Sequence, residues 1–127
     1  MTLIDGPRIR EAANSDPEFA IAARFWNGDV RMDVGAQAHA LRMKDGRIAA
    51  FEKLATPPDG ASWDLWIAAP PEAWEQMLQP VPRPFWQDFM AAARQGVVLA
   101  GDPACFGPYY PALRRLLEIM RTLPRED

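Results

Sequence analysis

The stretch "GDVRMDVGAQAHALRMKDGRIAAFEK", residues 28–53, decides the fold of this chain. In its first part the apolar residues Val30, Met32 and Val34 alternate with charged residues, which is the period of a half-buried β-strand. A second run, "AQAHALRM", leads to the dipeptide Asp-Gly at 45–46, a pair that tolerates the positive φ of a tight turn. "RIAAFEK" then returns along it. The stretch therefore predicts three strands in an antiparallel meander.

A fourth strand is predicted at "ASWDLWIAA", which follows a Pro-Pro-Asp-Gly loop. The same alternation places Trp63, Leu65 and Ile67 on one face of this strand. Asp64 and Trp66 are expected on the other face.

From Pro70 onward the apolar period changes to that of a helix. "PPEAWEQML" predicts a short helix that carries Trp74, and a second helix, from about Pro84 to Gln95, carries Phe85 and Phe89 on one stripe. "VVLAGD" is short, β-branched and apolar, which predicts a fifth strand. "PYYPALRRLLEIMRTL" completes the chain as an amphipathic helix.

The segment before the meander has two interpretations. "SDPEF" has the composition of a helix start, with Asp16 as N-cap and Pro17 at the first helical position, so a helix over about residues 17–26 is favoured. The residues that follow also alternate up to the turn signal Asn27-Gly28, which would suit a strand. With strands first and helices after them, the prediction is an α+β fold, a mainly antiparallel sheet with helices packed on one face.

Composition limits the possible functions. The chain has 127 residues, 49% of them hydrophobic and 24% charged, which predicts one globular domain over residues 1–127. Its net charge of −3 argues against nucleic acid as a partner, because such sites need clustered Lys and Arg. The single cysteine, Cys105, fits a reducing compartment, and neither a signal segment nor a membrane span is visible, so a cytoplasmic location is expected.

The inventory of reactive side chains argues against an enzyme. Neither of the two serines lies in a nucleophile motif, and one histidine and one cysteine cannot supply three ligands to zinc. The eight glycines are scattered rather than gathered into a phosphate loop. We therefore expect no catalytic residue, no metal and no cofactor.

The order of these segments resembles the sterol carrier protein 2 (non-specific lipid-transfer) domain in its compact bacterial form. The resemblance covers about residues 16–123 and is carried by a strand that ends in "KDG", a strand that leads directly into a helix at "WIAAPPEAWEQML", and a late apolar strand that ends at Gly101-Asp102. It implies a five-stranded sheet covered by helices that enclose a hydrophobic tunnel for a sterol, fatty acid or acyl chain. The segment "QPVPRPFWQDFM" is richer in proline and aromatic residues than the eukaryotic domain.

The residues expected to line such a tunnel are the large apolar side chains on the predicted helical stripes and the sheet face beneath them. Unbranched methionines suit this task because they adapt to apolar guests of different shape. The predicted ligand-binding residues are Met32, Trp74, Met77, Phe85, Phe89, Met90, Leu117 and Met120.

Polar groups that would orient a headgroup are scarce. His39, Asp64, Tyr109 and Tyr110 are the candidates, although each also suits a purely structural role. The alternative function is a protein-interaction module, or a homodimer formed through Trp66 or Trp86, in which the aromatic residues fill a closed core and no ligand binds.

Overall fold

The five strands form one sheet in a computed structural model that describes residues 3–55 and 63–123. The strands are β1 (Gly28–Val34), β2 (Gln37–Lys44), β3 (Arg47–Lys53), β4 (Leu65–Ala69) and β5 (Val98–Gly101). The helices are α1 (Gly6–Asn14), α2 (Pro17–Ala23), α3 (Pro71–Met77), α4 (Phe89–Ala93) and α5 (Pro103–Thr122). Among these residues, no helix is both long and apolar enough to cross a membrane.

The sheet has the strand order β3-β2-β1-β4-β5 and is mainly antiparallel, as predicted. The β1–β2 and β2–β3 pairs form the expected meander, and Asp45 and Gly46 adopt positive φ angles of 50° and 77° in the turn between β2 and β3. The one exception among the described strand pairs is β4, which lies parallel to β1, with Val30 opposite Leu65. The predicted Pro-Pro-Asp-Gly loop lies outside the described residues.

The inner face of the sheet carries the core. Val30, Met32, Leu65 and Ile67 are at most 1% exposed and belong to one apolar cluster with buried side chains from all five helices. A sheet that buries one face under helices is the arrangement of an α+β domain. The predicted fold class is confirmed.

The N-terminal helix α1 was not predicted. Its sequence, "GPRIREAAN", buries only Gly6, Ile9 and Ala13. Its last residue fixes it to the edge strand β3, because the Asn14 side chain bonds both the N–H of Ile48, at 2.9 Å, and its carbonyl oxygen, at 3.0 Å.

The structure selects the helical interpretation of "SDPEF". Asp16 caps α2 by accepting a hydrogen bond from the backbone N–H of Phe19 at 2.8 Å. The helix ends at Ala23, and Gly28, instead of completing a hairpin turn, begins β1.

Two helix boundaries differ from the predictions. The helix expected over residues 84–95 is only Phe89–Ala93, because Asp88 caps its start by accepting from the N–H of Ala91 at 2.8 Å. The last helix starts earlier than expected, at Pro103, where Asp102 accepts from the N–H of Ala104 at 3.0 Å.

An ion pair joins the N-terminal helix α2 to the C-terminal helix α5. Arg115 on α5 donates two hydrogen bonds to the Asp16 carboxylate, at 2.8 and 2.9 Å. These bonds hold the pKa of Asp16 below its usual value. Because Asp16 is the N-cap of α2, the ion pair holds the start of α2 against α5.

Replacing Arg115 by Met should reduce stability at neutral pH by at most about 1 kcal/mol and should also change its acid dependence. A carboxylate whose pKa is lowered by folding stabilises the protein above its unfolded pKa of about 4, and this contribution is lost as pH falls through the folded pKa. The variant should therefore lose less stability than the wild type below about pH 4. Urea unfolding across this range measures the effect, with Arg114→Met, an exposed neighbour with the same charge change, as control. Equal acid dependence in the wild type and in Arg115→Met would contradict the assignment.

Candidate apolar ligand site

Six of the eight predicted ligand-binding residues meet in the core. Each is at most 6% exposed, and all belong to the same apolar cluster: Met32, Trp74, Met77, Phe89, Leu117 and Met120. The other two do not join them, since Phe85 is 57% and Met90 is 54% exposed. The predicted set therefore divides into an interior group and two surface side chains.

Within the interior group, Trp74 is held by a hydrogen bond and by an aromatic contact. Its indole Nε1 donates a hydrogen bond to the carbonyl oxygen of Asp33 at 2.8 Å, and its ring meets Phe89 edge to face at 5.9 Å between centroids. A buried tryptophan that finds a polar partner and an aromatic neighbour is held in one orientation. The Trp74 side chain is therefore a fixed part of the core.

An apolar cleft lies beside the interior group, where α4, β5 and the start of α5 come together. Its volume is about 340 Å³, within the range of small-molecule sites. The lining residues are Met90, Ala93, Leu99, Ala100, Gly101, Pro103 and Phe106. Met90 is the one predicted site residue among them.

The α4 wall of the cleft is tied to α5 by a tyrosine. The Tyr110 hydroxyl donates to Asp88 at 2.9 Å and accepts from the backbone N–H of Met90 at 3.0 Å. Burial raises the pKa of this hydroxyl to about 12, and the nearby Asp88 acts in the same direction. Tyr110 therefore stays protonated at neutral pH and joins the two helices, which is the structural role considered for it.

The segment between α3 and α4 is held by one arginine. Arg121 on α5 donates to the carbonyl oxygens of Met77, Trp86 and Gln87 at 2.7, 3.2 and 2.7 Å. Phe85, with φ of 76°, lies within this segment and points outward. The aromatic residues of "QPVPRPFWQDFM" are thus divided between surface and core.

The outer face of the sheet accounts for two more tryptophans. The Trp66 Nε1 donates to Asp33 at 3.1 Å, and the Arg31 guanidinium lies 4.3 Å from the centre of the Trp66 ring. Trp63 was expected on the inner face, but it lies 5.4 Å from the guanidinium of Arg42, whose side chain is on the outer face. The strand begins only at Leu65, so its alternation does not extend back to Trp63.

Asp64 has a structural role. Its carboxylate accepts from the backbone N–H of Asp29 at 2.8 Å and so joins the start of β4 to β1. Within residues 3–55 and 63–123, no group of three or more His, Cys, Asp or Glu side chains could hold a metal ion.

Comparison with known proteins identifies the fold. No family model matches the sequence, and no curated protein matches it. Three solved structures are similar over most of the chain, and they share 14–21% sequence identity with it.

A sterol carrier protein 2 crystal structure aligns with a TM-score of 0.74 at 19% identity and covers 93% of this chain and 94% of its own. The protein TT1886 of Thermus thermophilus, described as possibly a sterol carrier protein, aligns at 0.66 and 21% identity, with 89% of this chain and 81% of its own covered. The ubiquinone synthesis protein UbiJ-SCP2 aligns at 0.58 and 14% identity and covers 94% and 89%. The chain has the fold of sterol carrier protein 2.

Proposed function

We propose that this protein binds an apolar ligand, a sterol, fatty acid or acyl chain, and performs no chemistry on it. The observation that carries the proposal is the apolar cleft between α4, β5 and α5, which adjoins the buried methionine and aromatic side chains of the core. The two similar structures described as a sterol carrier and a possible sterol carrier support the same class of ligand.

Burial alone supplies enough energy for such binding. Enclosing about 300 Å² of an acyl chain contributes roughly 7 kcal/mol at about 25 cal/mol per Å². A contribution of about 7 kcal/mol corresponds to a dissociation constant of roughly 10 μM before association costs, which weaken the affinity further and leave little selectivity between chains of similar length. In this proposal the cleft holds the first part of the chain, and the adaptable core methionines Met77 and Met120 make room for the rest.

The direct test is native mass spectrometry of gently purified protein, repeated after incubation with oleate and with cholesterol. A bound sterol or fatty acid supports the proposal and identifies the chemical class. A clean apo mass in all three experiments would overturn it.

A bulky side chain in the cleft should weaken oleate binding, whereas the same substitution elsewhere on the surface should not. Ala93 is exposed and lines the cleft, so Ala93→Trp should occupy it and weaken oleate binding by about tenfold or more, equivalent to about 1.4 kcal/mol. Ala20→Trp, at an exposed position on α2, is the matched control and should bind as the wild type does. Titration with a fluorescent fatty acid measures both variants. Wild-type affinity in folded Ala93→Trp would move the site away from this cleft.

The contribution of the buried core residues to ligand binding can be tested separately. Phe89→Ala and Met120→Ala should both change ligand affinity, because each opens space behind the cleft. Wild-type affinity in the folded variants would remove these residues from the site.

The alternative is an interaction module or homodimer with a filled core. The observation that favours it is an exposed apolar pair on the outer face of the sheet, Trp66 and Val98, which are 37% and 52% exposed. Sedimentation over a range of concentrations separates this alternative from a monomeric carrier. A cytoplasmic location and the absence of nucleic acid from its partners are part of the proposal and rest on sequence composition, whereas the bacterial form of the domain rests on the resemblance in segment order.

A further inference from the structure

A second pocket lies at the opposite end of the inner sheet face, where β1 ends and β2 begins. Its volume is about 270 Å³. Leu3, Ile4 and Pro71 are among its apolar walls, and Gln37, His39 and Lys53 are its polar groups. The described lining residues of this pocket and of the cleft between α4 and α5 are all different.

His39 is the unusual member of this set. It is 5% exposed, and its Nδ1 is buried without a hydrogen-bond partner among the residues that the structure describes. A buried polar atom that makes no hydrogen bond is costly, so it requires an explanation. The imidazole ring lines the pocket, so a group bound there would contact the ring.

Lys53 is the immediate cross-strand neighbour of His39. It is exposed, and it forms no ion pair with any residue in the described part of the chain. Side chains directly opposite on neighbouring strands lie about 5 Å apart at Cβ. One group bound in the pocket would therefore contact both the ammonium and the imidazole.

The charged residues around the pocket indicate that the bound group is negatively charged. Among the residues that the structure describes, no carboxylate lines the pocket, and the Asp33 side chain lies on the outer face, where it is held by Arg31 through two 2.8 Å bonds. The Gln37 amide nitrogen is already fixed by the carbonyl oxygen of Leu54 at 3.1 Å. Donors and one positive charge thus face an apolar-walled space.

We propose that this pocket binds a carboxylate carried on a small apolar group, paired with Lys53 and hydrogen-bonded by His39. Leu3, Ile4 and Pro71 enclose the hydrocarbon part. The carboxylate comes either from a free short-chain acid or from the end of a longer fatty acid.

Binding at this site is coupled to a proton. Burial lowers the pKa of His39, Lys53 lowers it further, and Asp33 acts in the opposite direction. Gln37 and the apolar walls add no charge. A bound carboxylate stabilises the imidazolium and raises the pKa of His39, so the complex takes up a proton and affinity rises as pH falls.

The experiment uses octanoate as the probe and the His39 ring signals in the NMR spectrum as the readout. His39 is the single histidine of the chain, so these signals need no further assignment. Saturating octanoate should raise the pKa of His39 by about one unit, and octan-1-ol, with the same chain and no charge, should not. An unchanged His39 titration with octanoate, or an equal shift with octanol, would overturn the proposal.

Two lysine variants test whether Lys53 supplies the positive charge that pairs with the carboxylate. Lys53→Met should weaken octanoate binding by about tenfold or more, because it removes a charged partner. Lys44→Met, an exposed lysine at the far end of β2, makes the same charge change and should bind as the wild type does. Equal binding by the two variants would contradict the site.

Chain length identifies the source of the carboxylate. If butyrate shifts the His39 signals as strongly as octanoate, the natural ligand is a small free acid. If oleate shifts the His39 signals at least as strongly as octanoate and butyrate shifts them less, it is the end of a fatty acid. Ala93→Trp should leave the octanoate response of His39 unchanged, so failure of this site and failure of the apolar cleft are distinguishable.

Discussion

Trp74→Ala is expected to destabilise the protein by about 3–5 kcal/mol, the range for truncating a large buried aromatic side chain. The side chain is fully buried, donates to the Asp33 carbonyl oxygen and packs against Phe89, so its removal leaves a cavity in the middle of the core. Urea unfolding followed by far-UV circular dichroism measures the loss without depending on tryptophan fluorescence.

Two further variants separate the contributions. Trp74→Phe keeps a ring but loses the hydrogen bond, whose net worth is about 1 kcal/mol, so it should cost much less than Trp74→Ala. Val81→Ala, at a position 87% exposed, should change stability by less than about 0.5 kcal/mol. A Trp74→Ala cost near that of Val81→Ala would mean that the surrounding core is loosely packed, with internal space for a ligand.

The second large effect is expected at Gly101, which ends β5 and lines the apolar cleft. Its φ of +145° is rarely adopted by other residues, and an added Cβ would collide with the carbonyl oxygen of Asp64 and press on Leu65. Overpacking costs about 1–3 kcal/mol, and a strained backbone conformation costs a similar amount, so Gly101→Ala should lose about 3 kcal/mol or more. Denaturant unfolding checks this value.

A matched glycine separates the two causes. Gly96 also has a positive φ, of 97°, but an added Cβ there meets no described atom within 4 Å, so Gly96→Ala reports the conformational cost alone. If Gly101→Ala lost no more stability than Gly96→Ala, the close contact with β4 would contribute nothing.

The sheet was predictable from sequence because its signals are local. Alternation in β1 and the Asp45-Gly46 turn each depend on a few adjacent residues, and the structure confirms both. The parallel pairing of β1 with β4 is not encoded in any local period, since parallel strands are joined by long connections. The helix α1 was missed for a related reason, because the Asn14 bonds that fix it are made to Ile48, 34 residues away.

The candidate site was predictable only in part. Trp74 and Phe89 are buried as expected, because each lies on the buried side of a helix, but neither lines the cleft. Phe85 was assigned to the same stripe as Phe89, but the helix starts at Phe89, so no stripe extends back to residue 85. Leu99 and Phe106 were missed as cleft residues because the cleft exists only once β5 and α5 are brought together.

The parallel pairing of β1 with β4 also bears on the order in which the elements fold. Hairpins of the β1–β2–β3 meander close over a few residues, whereas the Asp29–Asp64 contact beside β4 spans 35 residues and the Asp16–Arg115 pair spans 99. Contacts between distant residues form more slowly because a longer loop must be closed first. We therefore expect the meander to assemble early, with its inner face exposed to misassociation until β4 and the C-terminal helices pack on it.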